Sequence, residues 1–189
     1  MGTSRQSAVG RKSHVSGATF ESLIESAIRI YEKDGVCAID KTPEPMKPLK
    51  PYKDHPGWFV ATFTKQAQPD FKGILVDATM IMFDAKHTEA GQIRRQVVSE
   101  EQEKCFEKYS AMGAMCFIVV SLGFEKFFRV PWVVFKDMKK IFGHKHMTAK
   151  ELEPYRVPFR RGIPLFLDGI ELKERSTYES AEMGTRKQD

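Results

Sequence analysis

The stretch Pro69-Asp70-Phe71-Lys72-Gly73-Ile74-Leu75-Val76-Asp77-Ala78-Thr79-Met80-Ile81-Met82-Phe83-Asp84-Ala85-Lys86 decides the fold of this chain. Residues Phe71 to Val76 and Thr79 to Lys86 read as two strands joined by a tight turn near Asp77, the pattern of a β-hairpin. Period-two alternation in the second strand sends Ile81, Phe83 and Ala85 to one face and Met82, Asp84 and Lys86 to the other. The apolar set then enters the core, and the two charged side chains share the opposite face.

Upstream of the hairpin, apolar residues recur at Phe20, Leu23, Ile24, Ala27, Ile28 and Tyr31, one face of a helix over Ala18 to Lys33 that Asp34-Gly35 stops. Val36 to Ile39 reads as a short strand. Pro43, Pro45, Pro48, Pro51 and Pro56 are then expected to break any regular ladder, leaving a segment that projects from the body or forms an edge, with a strand at Trp58 to Phe63. Downstream, Ser99 and Gln102 have the spacing of a capping box, and Cys105, Phe106, Tyr109 and Met112 continue as a buried helical stripe ending at Gly113. Ala114 to Leu122 is an almost continuous apolar run, as in a central strand covered on both faces, with Phe127 to Val130 as its neighbour. Pro131 is placed to open a helix through Phe142, with Lys139 and Lys140 in its last turn and Gly143 beyond it. A short helix follows near Ala149 to Glu153. This order predicts an α/β fold, a mixed β-sheet flanked by helices.

A chain of 189 residues with 41% hydrophobic content suffices for one substantial core. The expected single domain spans 17–171, preceded by a flexible basic arm at 1–16 and followed by a disordered polar tail at 172–189. Thirty Lys plus Arg against 25 Asp plus Glu leave a net charge of +5, and the excess is concentrated. Arg5, Arg11 and Lys12 lie in the arm without an acid. Lys41, Lys47, Lys50, Lys53, Lys65 and Lys72 outnumber the acids between them. Local excesses of this kind suit a polyanion, because neutralising phosphates releases counterions; ordinary solvated lysine is the alternative. Cys37, Cys105 and Cys116 form no zinc-spaced pair, and their odd number argues against a disulfide framework. With no apolar leader and no run long enough to span a bilayer, the expectation is a soluble, cytoplasmic protein with no membrane partner.

Hydrolysis of a phosphodiester needs an activated water and neutralised phosphate charge, which divalent cations supply. Mg²⁺ takes hard oxygen ligands and often uses only one or two carboxylates with waters. Asp70 and Asp84, from adjacent strands, are the candidate carboxylates, and the backbone carbonyl of Ala85 is a further candidate ligand. Lys86, two residues from Asp84 and on its face, is suited to orient or deprotonate the attacking water or to stabilise charge on the phosphate.

The pattern resembles the PD-(D/E)xK nuclease superfamily and, more closely, the RecU family of Holliday junction resolvases. The residues that carry the resemblance are Gly17-Ala18-Thr19-Phe20-Glu21, Ala38-Ile39-Asp40-Lys41-Thr42-Pro43, Pro69-Asp70-Phe71-Lys72-Gly73, Phe83-Asp84-Ala85-Lys86-His87-Thr88, Gln102 and Val130-Pro131-Trp132. It covers roughly Gly17 to Ile170. The resemblance implies a restriction-endonuclease-like mixed sheet with a projecting proline-rich stalk at about 42–68. It implies a Mg²⁺-dependent endonuclease, with Mn²⁺ as a substitute, that resolves four-way DNA junctions as a homodimer by paired cuts. Asp70 and Asp84 would bind metal, Lys86 would serve the water, Glu21 would hold the metal shell from the first helix, and Gln102 would complete the site. Many relatives carry Glu at the position of Asp84, so the carboxylate arm here is one methylene shorter.

Plainer readings stand beside these. Gln102 fits a capping box as well as a catalytic role. His87 either contacts phosphate or ends a strand at the surface, and His144 and His146 read as surface residues. Tyr52, Trp58 and Phe59 either stack on unpaired bases or pack the base of the stalk. The alternatives to a junction resolvase are another PD-(D/E)xK endonuclease acting on duplex DNA and a non-catalytic branched-DNA-binding recombination protein.

Overall fold

The computed structural model of the chain describes residues 3–43, 45–64 and 68–172, and side chains from Ser16 onward. Helix α1 (Thr3–Lys33) leads into β1 (Cys37–Lys41), followed by a hairpin of β2 (Met46–Pro51) and β3 (Phe59–Phe63) and a second hairpin of β4 (Phe71–Leu75) and β5 (Met80–Thr88). After β6 (Gln92–Arg94) come α2 (Glu100–Ala111), β7 (Met115–Leu122), β8 (Lys126–Pro131), α3 (Trp132–Lys136), α4 (Met138–Phe142), β9 (His146–Thr148) and α5 (Ala149–Leu152). Two short strands, β10 (Phe159–Arg160) and β11 (Ile163–Pro164), pair near the end.

The expected mixed sheet flanked by helices is present: five strands in the order β1-β4-β5-β7-β8, with β5 and β7 parallel and the other pairs antiparallel. One face of the sheet packs on α1 through Phe20, Ile24, Ala27, Ile28 and Tyr31, the stripe read from the sequence. Phe71, Phe83 and Phe117 stack side by side across three neighbouring strands, with centroids 5.0 and 4.9 Å apart. Truncating a fully buried Phe of this kind costs about 3–5 kcal/mol. The other face buries Met82, Ile118, Val120 and Val130 against Phe106, Trp132 and Phe135. The face that carries Met82, Asp84 and Lys86 is therefore a second core surface.

The β4–β5 turn has a local cause. Asp77 accepts from the Thr79 amide at 2.9 Å and from its hydroxyl at 3.0 Å, while Ala78 takes a left-handed φ of 66°. Gly73 is required by close approach, because a Cβ there would strike the Ala38 carbonyl and the Ile39 backbone.

Three expectations are corrected. The backbone is helical from Thr3, inside the stretch read as a flexible arm, because helix propagation adds a hydrogen bond per residue once a stable segment exists, and no proline intervenes. The prolines at 43–56 do not prevent a ladder: β2 runs through Pro48 and Pro51 with a register shift between Pro48 and Lys50. In a two-stranded sheet every strand is an edge, so proline nitrogens can face away from the partner. The single helix expected over 131–142 is two helices separated at Asp137, where ψ is 18°. The tail at 173–189 lies outside the described residues. No helix among the described residues is long and apolar enough to cross a membrane.

Candidate functional site

Asp70 stands just before β4 and Asp84 in the middle of β5. Because Phe71 opposes Phe83 in the register, the preceding Asp70 falls opposite Asp84. Backbone and side chains then interlock. The Asp70 amide donates to Asp84 Oδ1 at 2.7 Å, and the Ala85 amide donates to Asp70 Oδ2 at 3.2 Å. In an extended strand a residue's N–H and C=O lie on one edge, which turns the Ala85 carbonyl towards Asp70 as well. Lys86 Nζ sits 2.9 Å from Asp84 Oδ2 and 3.7 Å from Asp70 Oδ2. The sequence-predicted trio is brought together.

Asp84 has 0% exposure, and its Oδ2 is met by the Lys86 ammonium at 2.9 Å. Burial, and next the charge of Asp84, push Asp70 up to about 6. Burial acts to lower the Lys86 ammonium, but Asp84 and Asp70 outweigh it and hold the group above its ordinary value. Burying a carboxylate is costly unless a cation compensates it, and the Lys86 ammonium does so in the metal-free protein. Among the described residues no group of three or more His, Cys, Asp or Glu forms a metal cage. Two carboxylates, a backbone carbonyl and solvent fit a hydrated Mg²⁺, which dehydrates reluctantly and is often held by one or two carboxylates.

The remaining candidates are distributed differently. Glu21 pairs with Lys41 at 2.9 Å, and Lys41 also contacts Glu25 at 2.8 Å. Glu21 is still close enough to contribute to the raised value of Lys86. Lys41, expected as a phosphate contact, is thus already neutralised by two acids. Gln102 is buried in the first turn of α2, and its Oε1 accepts from the Ser99 amide at 3.2 Å in a complete capping box. His87 is not at the surface: its side chain is 4% exposed, bonded to Ser121 and Glu89 and stacked 4.0 Å from Phe124. Val120, Ser121 and Leu122 pair beside it and close the strand end. Lys72 reaches Gln68 at 3.4 Å, while Lys47, Lys50 and Lys53 are exposed on the β2–β3 hairpin. His144 and His146 stack at 3.8 Å, and His144 also meets Glu151. The side chains of Arg5, Arg11 and Lys12, and all of Lys65, lie outside the described residues.

Sequence reasoning missed Thr42. It is 9% exposed, its amide donates to the Asp70 carbonyl at 2.8 Å, and its hydroxyl has no hydrogen-bond partner among the described residues. Only the pairing of β1 with β4 places it beside Asp70, and no spacing in the sequence announces that pairing.

A mixed sheet carrying an interlocked Asp–Asp–Lys cluster defines an α/β protein with a preformed carboxylate–lysine site. The profile of the family described as RecU, recombination protein U, matches residues 15–173. The chain belongs to this family of Holliday junction resolvases. Among solved structures, that of Archaeoglobus fulgidus Hjc, a Holliday junction resolvase from an archaeal hyperthermophile, is similar at 12% identity and a TM-score of 0.47, covering 79% of this chain and 97% of that one. No curated protein matches the chain.

Proposed function

We propose that the protein is a divalent-metal-dependent endonuclease that resolves four-way DNA junctions by phosphodiester hydrolysis, acting as a homodimer so that two symmetry-related sites make paired cuts. The observation that carries this reading is the buried Asp70–Asp84–Lys86 cluster, two interlocked carboxylates with a lysine ammonium between them. Asp70, Asp84 and the Ala85 carbonyl would hold Mg²⁺, or Mn²⁺ in its place, with Glu21 acting from α1. Bound there, the cation supplies a water of lowered pKa and charge to stabilise the phosphate. Lys86, held by both carboxylates, orients that water or stabilises the charge that develops on the phosphate.

The β2–β3 hairpin supports the DNA part of the reading. Tyr52, His55 and Trp58 cluster with centroids 5.1–6.5 Å apart, exposed beside Lys47, Lys50 and Lys53. Aromatic faces next to cations suit unstacked bases at a branch point. The segment is our candidate for the stalk, and the first sixteen residues for a DNA-contacting arm. Lys72 would extend the basic surface, with Lys65 as a further candidate phosphate contact. Gln102, which caps α2 through its Oε1, would complete the site, and His87, bonded to Ser121, would support the strand end beside it.

Labelled four-way junction and linear duplex of equal length should be offered to the protein with Mg²⁺, Mn²⁺ or chelator. Paired cleavage of the junction, dependent on the metal, is the expected result; equal cutting of both substrates, or none, overturns the reading.

A further inference from the structure

We infer that Thr42 is part of the cation site: its hydroxyl gives the hydrated divalent ion held at Asp70 and Asp84 a further side-chain oxygen. The inference rests on the metal-dependent reading of the site. Lys41 opposes Phe71 in the β1–β4 register, so Thr42 falls opposite Asp70, locked there by the hydrogen bond that its backbone N–H donates to the Asp70 carbonyl. Asp70 in turn falls opposite Asp84. Directly opposed residues of antiparallel strands point to the same face. Thr42, Asp70 and Asp84 therefore form one row across three strands, on the side away from Phe71 and Phe83 and from α1.

In this row Thr42 Oγ1 is buried without a hydrogen-bond partner among the described residues, while Asp84 Oδ2 is met by Lys86. A threonine that serves only the fold normally turns its hydroxyl to a nearby backbone group. Here the hydroxyl does not, so a structural role would be filled better by valine, which has the same shape, favours strands and carries no polar group to desolvate. The unpartnered Thr42 hydroxyl stands beside Asp70, and a hydrated cation is the ligand chemistry that uses a hydroxyl and a carboxylate together.

The test is titration calorimetry of the DNA-free protein with Mg²⁺ and with Mn²⁺, alongside thermal denaturation in chelator. Thr42→Val should bind Mg²⁺ roughly tenfold more weakly while Thr42→Ser stays within about twofold of wild type, the scale seen when a supporting contact of a metal site is lost. In chelator, Thr42→Val should melt at the wild-type temperature or above it. Thr42→Ala and Thr42→Ser, which differ by one hydroxyl, provide the same comparison if the valine variant does not fold. Wild-type affinity in both Val and Ala variants, or an equal loss in Ser and Ala, overturns the assignment of Thr42 alone. Failure of the wild type to bind either cation overturns it together with the proposed function.

Discussion

The chain builds two antiparallel hairpins in opposite environments. Hairpin β4–β5 is built into the core, its second strand on both faces: Phe71, Ile81 and Phe83 enter the core beneath α1, and Met82 enters the core on the other side. Hairpin β2–β3 pairs only with itself, and Met46, Leu49, Phe59 and Phe63 are each more than 60% exposed. The first can hold charged groups in fixed positions because each is wedged between packed neighbours, and the second cannot. In exchange, the second offers apolar and aromatic surface to a partner, which a buried hairpin lacks. Fixed buried charge and exposed apolar surface are separated along the chain by fewer than ten residues.

This division can be broken most severely at the carboxylates. Asp84→Asn should lower junction cleavage by about 10³-fold or more while leaving junction binding intact, since hydrolysis needs the charge and binding rests on the basic surfaces. Single-turnover cleavage and gel-shift assays measure the two, and a variant that still cuts removes Asp84 from the chemistry. Next in size is packing. Phe83→Ala should cost about 3–5 kcal/mol in urea denaturation, whereas Phe63→Ala on the exposed hairpin should stay within about 0.5 kcal/mol. Equal losses would erase the contrast between the hairpins.

A third effect arises from Asp70, which in the folded, metal-free protein is pushed up to about 6, first by burial and then by Asp84. In an unfolded chain the group ionises near pH 4. Between these values the folded state keeps a proton that the unfolded state has released, so this group's contribution makes stability fall as pH rises from about 4 to 6 and level off above. The size is about 2–3 kcal/mol, and Asp70→Asn should remove that part of the slope when both proteins are denatured in chelator across this range. Unchanged slopes would mean that Asp70 titrates normally. The smallest effect concerns the other hairpin: Trp58→Ala should weaken junction binding by about 1–3 kcal/mol with no change in Tm. A fall in Tm without a binding defect would make Trp58 a packing residue.

Much of the fold was legible because its signals are local. The α1 stripe, the Ser99–Gln102 capping box and the alternation of β5 each depend on neighbours within a turn or a strand, and each is present as read. The Asp70, Asp84 and Lys86 trio was legible too, since hairpin register follows from one short turn. What failed was non-local. His87 looked like a strand end at the surface until Ser121 and Phe124, more than thirty residues away, covered it. Lys41 looked free until Glu21 and Glu25 on α1 met it.

By itself, then, the sequence determined the elements, the hairpin that carries the carboxylates and the family motif series, because periodicity and turn chemistry act over a few residues. Only the tertiary structure decided that both faces of β5 are buried, that Asp84 has no exposure, and that Thr42 joins Asp70 in one row. Those facts arise from strand pairings and helix packing between distant segments. Desolvation, which shifts Asp70 and leaves the Thr42 hydroxyl without a partner, does not exist until those segments meet.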